Sequence, residues 1–313
     1  MITTLEIVIP VFLLIAAGYI LKRINLITDS GAATLKNVAV NLFLPPLAFN
    51  VLIHGQFTKS AFIMMATGII VLAVAYFIGL FWKRFFDKSV SGYVPWSITT
   101  FEGGMFGWAM IAILVGDSNL FYIVPMDIMN GVFCFSIMSA GLKMLSGQTM
   151  STSQKFKAVF TSPLIIAVIL GFIGCAFNWG GIIEGSKFAG LYNKCISWLT
   201  GPLTPVILLT IGYGLVFDGK VLSKGIKLVI LRVLTMAVLC VITISVLSLF
   251  VDMNRVLRVS LITYFFVPTS FVLPMYTKSK ESIEFTSGYL SLQIIVSLVI
   301  FTVISILYQA NIL

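Results

Sequence analysis

Charge is scarce in this sequence. Only 10% of its 313 residues are Asp, Glu, Lys or Arg, against 59% hydrophobic, whereas soluble domains carry about 25% charge and under half apolar residues. That balance excludes an ordinary water-soluble domain. Histidine occurs once, at His54, so a His-based metal site or a Ser–His pair has little to build on, and no Gly-x-Ser-Gly stretch accompanies it. The four cysteines (Cys134, Cys175, Cys195 and Cys240) are scattered singly without a Cys-x-x-Cys pair, which reads as structural thiols with no metal spacing. No Gly-x-x-x-x-Gly-Lys-Ser/Thr run offers a nucleotide cradle, so an ATP-driven pump has no support. Two carboxylates for intramembrane aspartyl chemistry are conceivable in Glu102 and Asp127, but neither lies in a motif of that kind. The expectation is a protein that is not an enzyme and needs no metal or cofactor.

What the chain has is apolar length. Mean hydropathy is +1.08, and a helix needs about 20 apolar residues to cross ~30 Å of hydrocarbon. Ten windows of that size stand out, at 4–21, 32–54, 60–82, 94–116, 119–142, 158–179, 190–216, 226–250, 256–275 and 286–308. The gaps between them are too short for a soluble domain. No Lys or Arg precedes the first window and Lys22-Arg23 follows it, so it reads as a span and not as a cleaved signal peptide.

The net charge of +9 has a topological explanation. Thirteen basic residues lie in the loops after odd-numbered windows, such as Lys83, Arg84 and Lys88, and five in the loops after even-numbered ones. Lys36 and Arg232 are assigned to the odd-loop ends of their segments. The positive-inside rule then puts odd loops in the cytoplasm and both termini outside, in the cytoplasmic (plasma) membrane. The basic balance implies no nucleic-acid partner. Lipid is the expected surroundings, Trp82, Trp96, Trp179 and Trp198 suit an interfacial belt, and the apolar outer faces leave a homodimer open.

The longest polar stretch, SGQTMSTSQKFK at 146–157, divides the chain into five windows on each side: 1–145, a cytoplasmic loop 146–157, and 158–313. With an odd number in each half, the second half enters the membrane in the opposite sense, as in an inverted repeat. Pro46 and Pro205 lie 159 residues apart, in NLFLPPLAF and GPLTPVILL, and the same offset carries the fourth window onto the ninth. Those two windows are unusual. The fourth reads FEGGMFGWAM, with Gly103, Gly104 and Gly107; the ninth reads YFFVPTSFVLPMY, with Pro268 and Pro274 flanking Thr269 and Ser270. Glycine and proline both interrupt backbone hydrogen bonding, and matched interruptions in two inverted halves point to a transporter's binding site. Small residues that only permit close helix packing are the other reading. Helix breaks are expected at Pro45, Pro46, Pro205, Pro268 and Pro274.

Glu102 sits near the expected crossing point. A charged carboxylate at mid-bilayer costs about 2.5–3.5 kcal/mol on insertion scales, so such residues face an interior or a cavity, and burial favours the neutral acid. Three roles are open: a proton-coupling site beside an anionic substrate, a partner for a cationic or amino-bearing substrate, or a structural hydrogen-bond partner. Asp127 and Asn130 are one turn apart and share a helix face, as substrate ligands or as a buried pair. Asn41 and Asn50 bracket Pro45-Pro46 and either line a cavity or support a kink. Tyr213 and Gln293 are cavity-lining or packing residues. The remaining acids, Glu6, Asp29, Asp87, Asp117, Glu184, Asp218, Asp252, Glu281 and Glu284, fall near segment ends or in loops.

Over essentially its whole length the sequence resembles the auxin efflux carrier family, which includes bacterial malate permeases and plant PIN-type carriers. The resemblance rests on IVIPVFLLIAAGYILKR at 7–23, NLFLPPLAF at 41–49, the glycines of the fourth window and GPLTPVILLTIGYGL at 201–215. It implies an all-α membrane fold of ten helices in two inverted five-helix repeats, with broken helices four and nine crossing at the substrate site, and elevator-like movement of a small organic anion or weak acid. Two positions depart from the family pattern: Glu102 stands where Asn is usual, and Ala109 where the motif proline is usual. With the residues above, the resemblance makes Glu102, Gly103, Gly104, Gly107, Pro268, Thr269, Ser270, Asp127, Asn130, Asn50 and Tyr213 the expected substrate site, with Glu102 coupling a proton. A cationic or neutral solute, or an uncoupled channel of the same fold, is the alternative.

Overall fold

The computed structural model describes residues 2–55, 59–145, 163–216, 218–277 and 279–313; the polar stretch 146–157 lies outside them. All regular structure among the described residues is helical. The chain runs through α1 (Ile2–Arg23), α2 (Asp29–Ile53), α3 (Lys59–Lys83), α4 (Val94–Thr99), α5 (Trp108–Val115), α6 (Val124–Phe133), α7 (Ser139–Leu145), α8 (Pro163–Ala176), α9 (Trp179–Glu184), α10 (Ala189–Gly214), α11 (Gly219–Leu247), α12 (Arg255–Phe265) and α13 (Lys280–Gln309). Five of them, α2, α3, α10, α11 and α13, are long and apolar enough to cross a membrane.

Helix starts follow capping chemistry more closely than hydropathy. α11 begins at Gly219, earlier than the window at 226, because the Asp218 carboxylate accepts from Lys220 N at 2.8 Å and Val221 N at 3.4 Å. α13 begins at Lys280, not 286, behind a Ser279 cap that accepts from Ser282 N. A side-chain oxygen that satisfies an orphan N–H starts a helix on polar residues that a hydropathy window ignores.

The expected breaks at Pro45 and Pro46 do not appear as breaks, whereas Pro205 follows a bend at 201–202 and Pro274 falls in the non-α stretch between α12 and α13. α2 runs through Pro45 and Pro46, its backbone widening into a π-helical turn at Ala39–Phe43 just before them. That wider turn accommodates residues that cannot donate an N–H. Pro205 lies in the first turn after the bend at Gly201-Pro202, and Pro274 in the first turn of a 3-10 segment, Leu273–Tyr276, where a missing N–H costs little. Of the five prolines only Pro268 stands in non-helical backbone.

The densest packing falls into two bodies, which also touch where α1 lies against α13. α1 packs along the second half of α10, and α8 along the second half of α2; α3 packs on α4 and α6, α11 on α13, and α12 against α11 and α5. Each body therefore combines elements from before and after the 146–157 stretch. Lipid offers helices no hydrophobic drive to associate, so close contact falls to small residues. Gly18 lies on the Leu209 carbonyl and Gly212 on the Ile15 carbonyl, while Gly225 lies on the Tyr289 backbone and Gly288 on the Val221 carbonyl. A Cβ at any of these four would run into the facing main chain. Outward, Leu13, Phe62, Ile70, Phe77, Leu234 and Val241 are exposed, an apolar surface suited to lipid and not to water. Trp96 is not part of an interfacial belt: it is buried, with its ring 4.8 Å from that of Tyr76.

Candidate functional site at two helix breaks

α4 stops at Thr99. Thr100 is extended (φ −92°, ψ 160°), and after Glu102 the chain restarts as a π-helical turn, Gly103–Gly107, leading into α5. The hydroxyls of Ser97, Thr99 and Thr100 bond back to the carbonyls of Tyr93, Pro95 and Trp96, an alternative to the helical ladder that weakens it. Two glycines then lower helix propensity further. Gly103 has a steric reason as well, since a Cβ there would overlap the Asp127 carboxylate. Farther along, α12 stops at Phe265, and the chain stays irregular through Pro268-Thr269-Ser270 until Leu273.

The two breaks satisfy each other. Glu102 N–H donates to Pro268 O at 2.7 Å. The Thr100 and Thr269 hydroxyls are 2.9 Å apart, and Ser270 N–H points to Thr100 Oγ1 at 3.4 Å. Phe271 N–H donates to Glu102 Oε2 at 2.5 Å. Unpaired backbone groups cost several kcal/mol each in lipid, roughly, so irregular backbone at this depth survives only where protein or a cavity satisfies it.

α6 braces one side. Asn130 Oδ1 accepts from Phe101 N at 3.0 Å, and its Nδ2 donates to Phe101 O at 2.8 Å and to Asp127 Oδ1 at 3.0 Å. Tyr264 of α12 donates its hydroxyl to the same Asp127 oxygen at 2.7 Å. Asp127 and Glu102 are both buried. On the opposite side Arg232 of α11 is fully buried, and its guanidinium donates to the carbonyls of Ser97, Ile98, Thr100 and Val267.

A cavity of about 110 Å³ opens at the breaks, lined by Glu102, Gly103, Gly104, Asp127, Asn130 and Ser270 together with apolar groups such as Leu44, Phe101, Trp108 and Val168. Among the described residues, no Lys or Arg lines it. The space lies between the group of helices that holds Leu44 and Val168 and the group that holds the breaks. A larger cavity of about 990 Å³ contains Asn50, His54, Asp117, Glu184 and Asn254. A pocket of about 100 Å³ shares Leu47 and Asp117 with that cavity and Trp108 with the breaks, so Trp108 borders both spaces. Toward the other face, a cavity of about 320 Å³ reaches Phe271 and holds Asp29, Lys36 and Tyr213.

Of the expected site residues, the structure brings together Glu102, Gly103, Gly104, Asp127, Asn130, Pro268, Thr269 and Ser270. Gly107 packs beside Val267 and Tyr264 instead of lining the cavity. Asn50 is elsewhere, accepting from Tyr192 OH at 2.9 Å in the large cavity, and Tyr213 donates to Asp29 at 2.7 Å. Asn41 bonds its own helix at Asn37 O, and Gln293 is buried in α13. Sequence reasoning missed Arg232, Tyr264, Thr100, Trp108 and Phe271. Arg232 carried a signal, a lone charge inside a long apolar run, which the topological count absorbed; the other four are ordinary residues in apolar segments.

No protein-family model matches the chain. It is 27% identical over 222 residues, 68% of each chain, to a protein of Methanothermobacter thermautotrophicus named an uncharacterized transporter. It is 21% identical over 234 residues, 71% of each chain, to an uncharacterized transporter of Methanocaldococcus jannaschii. With its membrane-length apolar helices, the chain is a multi-pass membrane protein, and these relatives support a transporter role.

Proposed function

We propose that the chain is a secondary transporter of the auxin efflux carrier type, moving a small organic acid such as malate across the plasma membrane together with a proton. Ten spans form two inverted repeats, 1–145 and 158–313, joined by a cytoplasmic loop at 146–157, with both termini outside. The body that carries the breaks moves against the body of α1, α2, α8 and α10, carrying the solute in an elevator-like step. The observation that carries the reading is the bond from Phe271 N–H to Glu102 Oε2. The restarting halves of both broken segments present N–H groups and positive dipole ends that suit an anion, and Glu102 already occupies one of those donors. An ionised Glu102 therefore competes with, and repels, a substrate carboxylate. Protonation removes the charge and weakens the hold on the Phe271 N–H, so proton and anion enter together.

The test is uptake of labelled malate and related carboxylates into proteoliposomes across a range of pH, with Glu102→Gln beside the wild type. Saturable uptake that rises in acid for the wild type and is flat in the variant supports coupling; the same pH response in both sinks it. One observation favours a second reading, in which the solute is cationic: among the described residues, two carboxylates and no basic side chain line the cavity at the breaks. Uptake of an organic cation, with none of any carboxylate, would select it.

A further inference from the structure

Arg232 is a buried charge without a counter-charge. It lies within α11 at 0% exposure, and no described carboxylate pairs with it. A guanidinium inside a membrane span is costly unless something offsets the cost. Here four main-chain oxygens do. Nη1 donates to Ser97 O and Ile98 O, both at 2.7 Å, and Nη2 to Thr100 O at 2.7 Å and Val267 O at 3.3 Å. The first three belong to the end of α4 and the fourth lies just past the end of α12. Every helix end leaves carbonyls without intrahelical donors and carries a partial negative charge. At these breaks two such ends converge, and Tyr289 OH adds a further bond to Ser97 O at 2.9 Å. In transporters built on discontinuous helices, unwound carbonyls and half-helix C-terminal ends are the groups that coordinate a sodium ion. The planar fork of Arg232, never deprotonated and rich in fixed donors, gathers carbonyls of that same kind.

We propose that Arg232 is a built-in substitute for a bound cation, holding the C-terminal ends of both broken segments together so that the site assembles without sodium or potassium. Arg232 is thus a positioning residue, acting on the substrate only through the backbone it gathers. Its role in solute movement rests on the transporter reading above; its role in assembling the breaks does not.

The test is therefore a melting experiment on purified protein in detergent, with no solute present. The wild type is expected to melt at the same temperature in sodium, potassium and choline chloride of equal ionic strength. Arg232→Ala is expected to melt lower, and millimolar methylguanidinium or sodium to raise its melting temperature by about 2 °C or more while leaving the wild type unmoved. Arg232→Lys, which keeps the charge but loses the fork, should fall between the two, and Arg232→Gln, which removes the charge, serves for the same titration if the alanine variant does not fold. A sodium-specific rise in the wild type would overturn the proposal. So would an alanine variant that melts like the wild type, or variants that no added cation restores. Failure to transport any solute would leave these melts unaffected and would count only against the transporter reading.

Discussion

Glu102 and Arg232 mark the two polarities of the same pair of breaks. The guanidinium collects carbonyls where α4 and α12 end, and the carboxylate takes an N–H where the chain restarts, each matching the sign of its helix end. Between them Phe101 lies 5.5 Å from the guanidinium carbon and stacks on Tyr264 at 4.8 Å. Tyr264→Phe removes one buried bond to Asp127 and should destabilise the protein by about 1–3 kcal/mol. Asn130→Ala strips both main-chain groups of Phe101 and should cost more; denaturation followed by intrinsic fluorescence ranks the two, and the reverse order would contradict the bracing role of Asn130. At this scale the sequence was legible where a polar residue interrupts an apolar run, as at Glu102, Asp127 and Asn130. It was silent at Phe271 and Thr100, whose contribution is a main-chain group or a hydroxyl placed by the fold. Arg232 was visible and misread, because a window starting at 226 put it near a segment end, whereas α11 starts at Gly219 and places it mid-helix.

Among elements, the glycine pairs between helices decide how close the helices lie. Gly225 and Gly288 face the opposite main chain across α11 and α13, so valine at either forces the pair apart and should cost about 1–3 kcal/mol or more. At Gly190 an added methyl would meet nothing within 4 Å, and Gly190→Ala should stay within about 0.5 kcal/mol. Melting curves of the three variants check this, and a Gly288→Val protein as stable as the wild type would mean that α11 and α13 are not in contact there. Hydropathy located these helices but not their caps, since Asp218 and Ser279 begin them on polar residues. It also overread proline: a π-helical turn lets α2 pass through Pro45 and Pro46, and no composition rule announces such a turn. The interruptions at Gly103 and Pro268 were readable because each lies where several helix-weakening residues coincide.

For the whole molecule, the sequence conveyed the membrane class and the polar midpoint, whereas the sorting of helices into two bodies that draw on both halves emerged only from packing. The proposed orientation rests on the positive-inside rule applied to the basic loops. In a cysteine-free background, Phe85→Cys should react with an impermeant thiol reagent only after the membrane is opened, and Lys187→Cys should react in intact cells. Both residues are exposed or partly exposed, so the opposite labelling would invert the topology. The central claim is that a proton taken by Glu102 travels with the solute. The most direct measurement is proton movement itself, read with a pH-sensitive dye inside proteoliposomes when malate is added outside at equal pH. The account predicts lumenal acidification in step with malate uptake by the wild type, and none attributable to transport in Glu102→Gln. Malate uptake without proton movement, or a variant that carries as many protons per malate as the wild type, would contradict it.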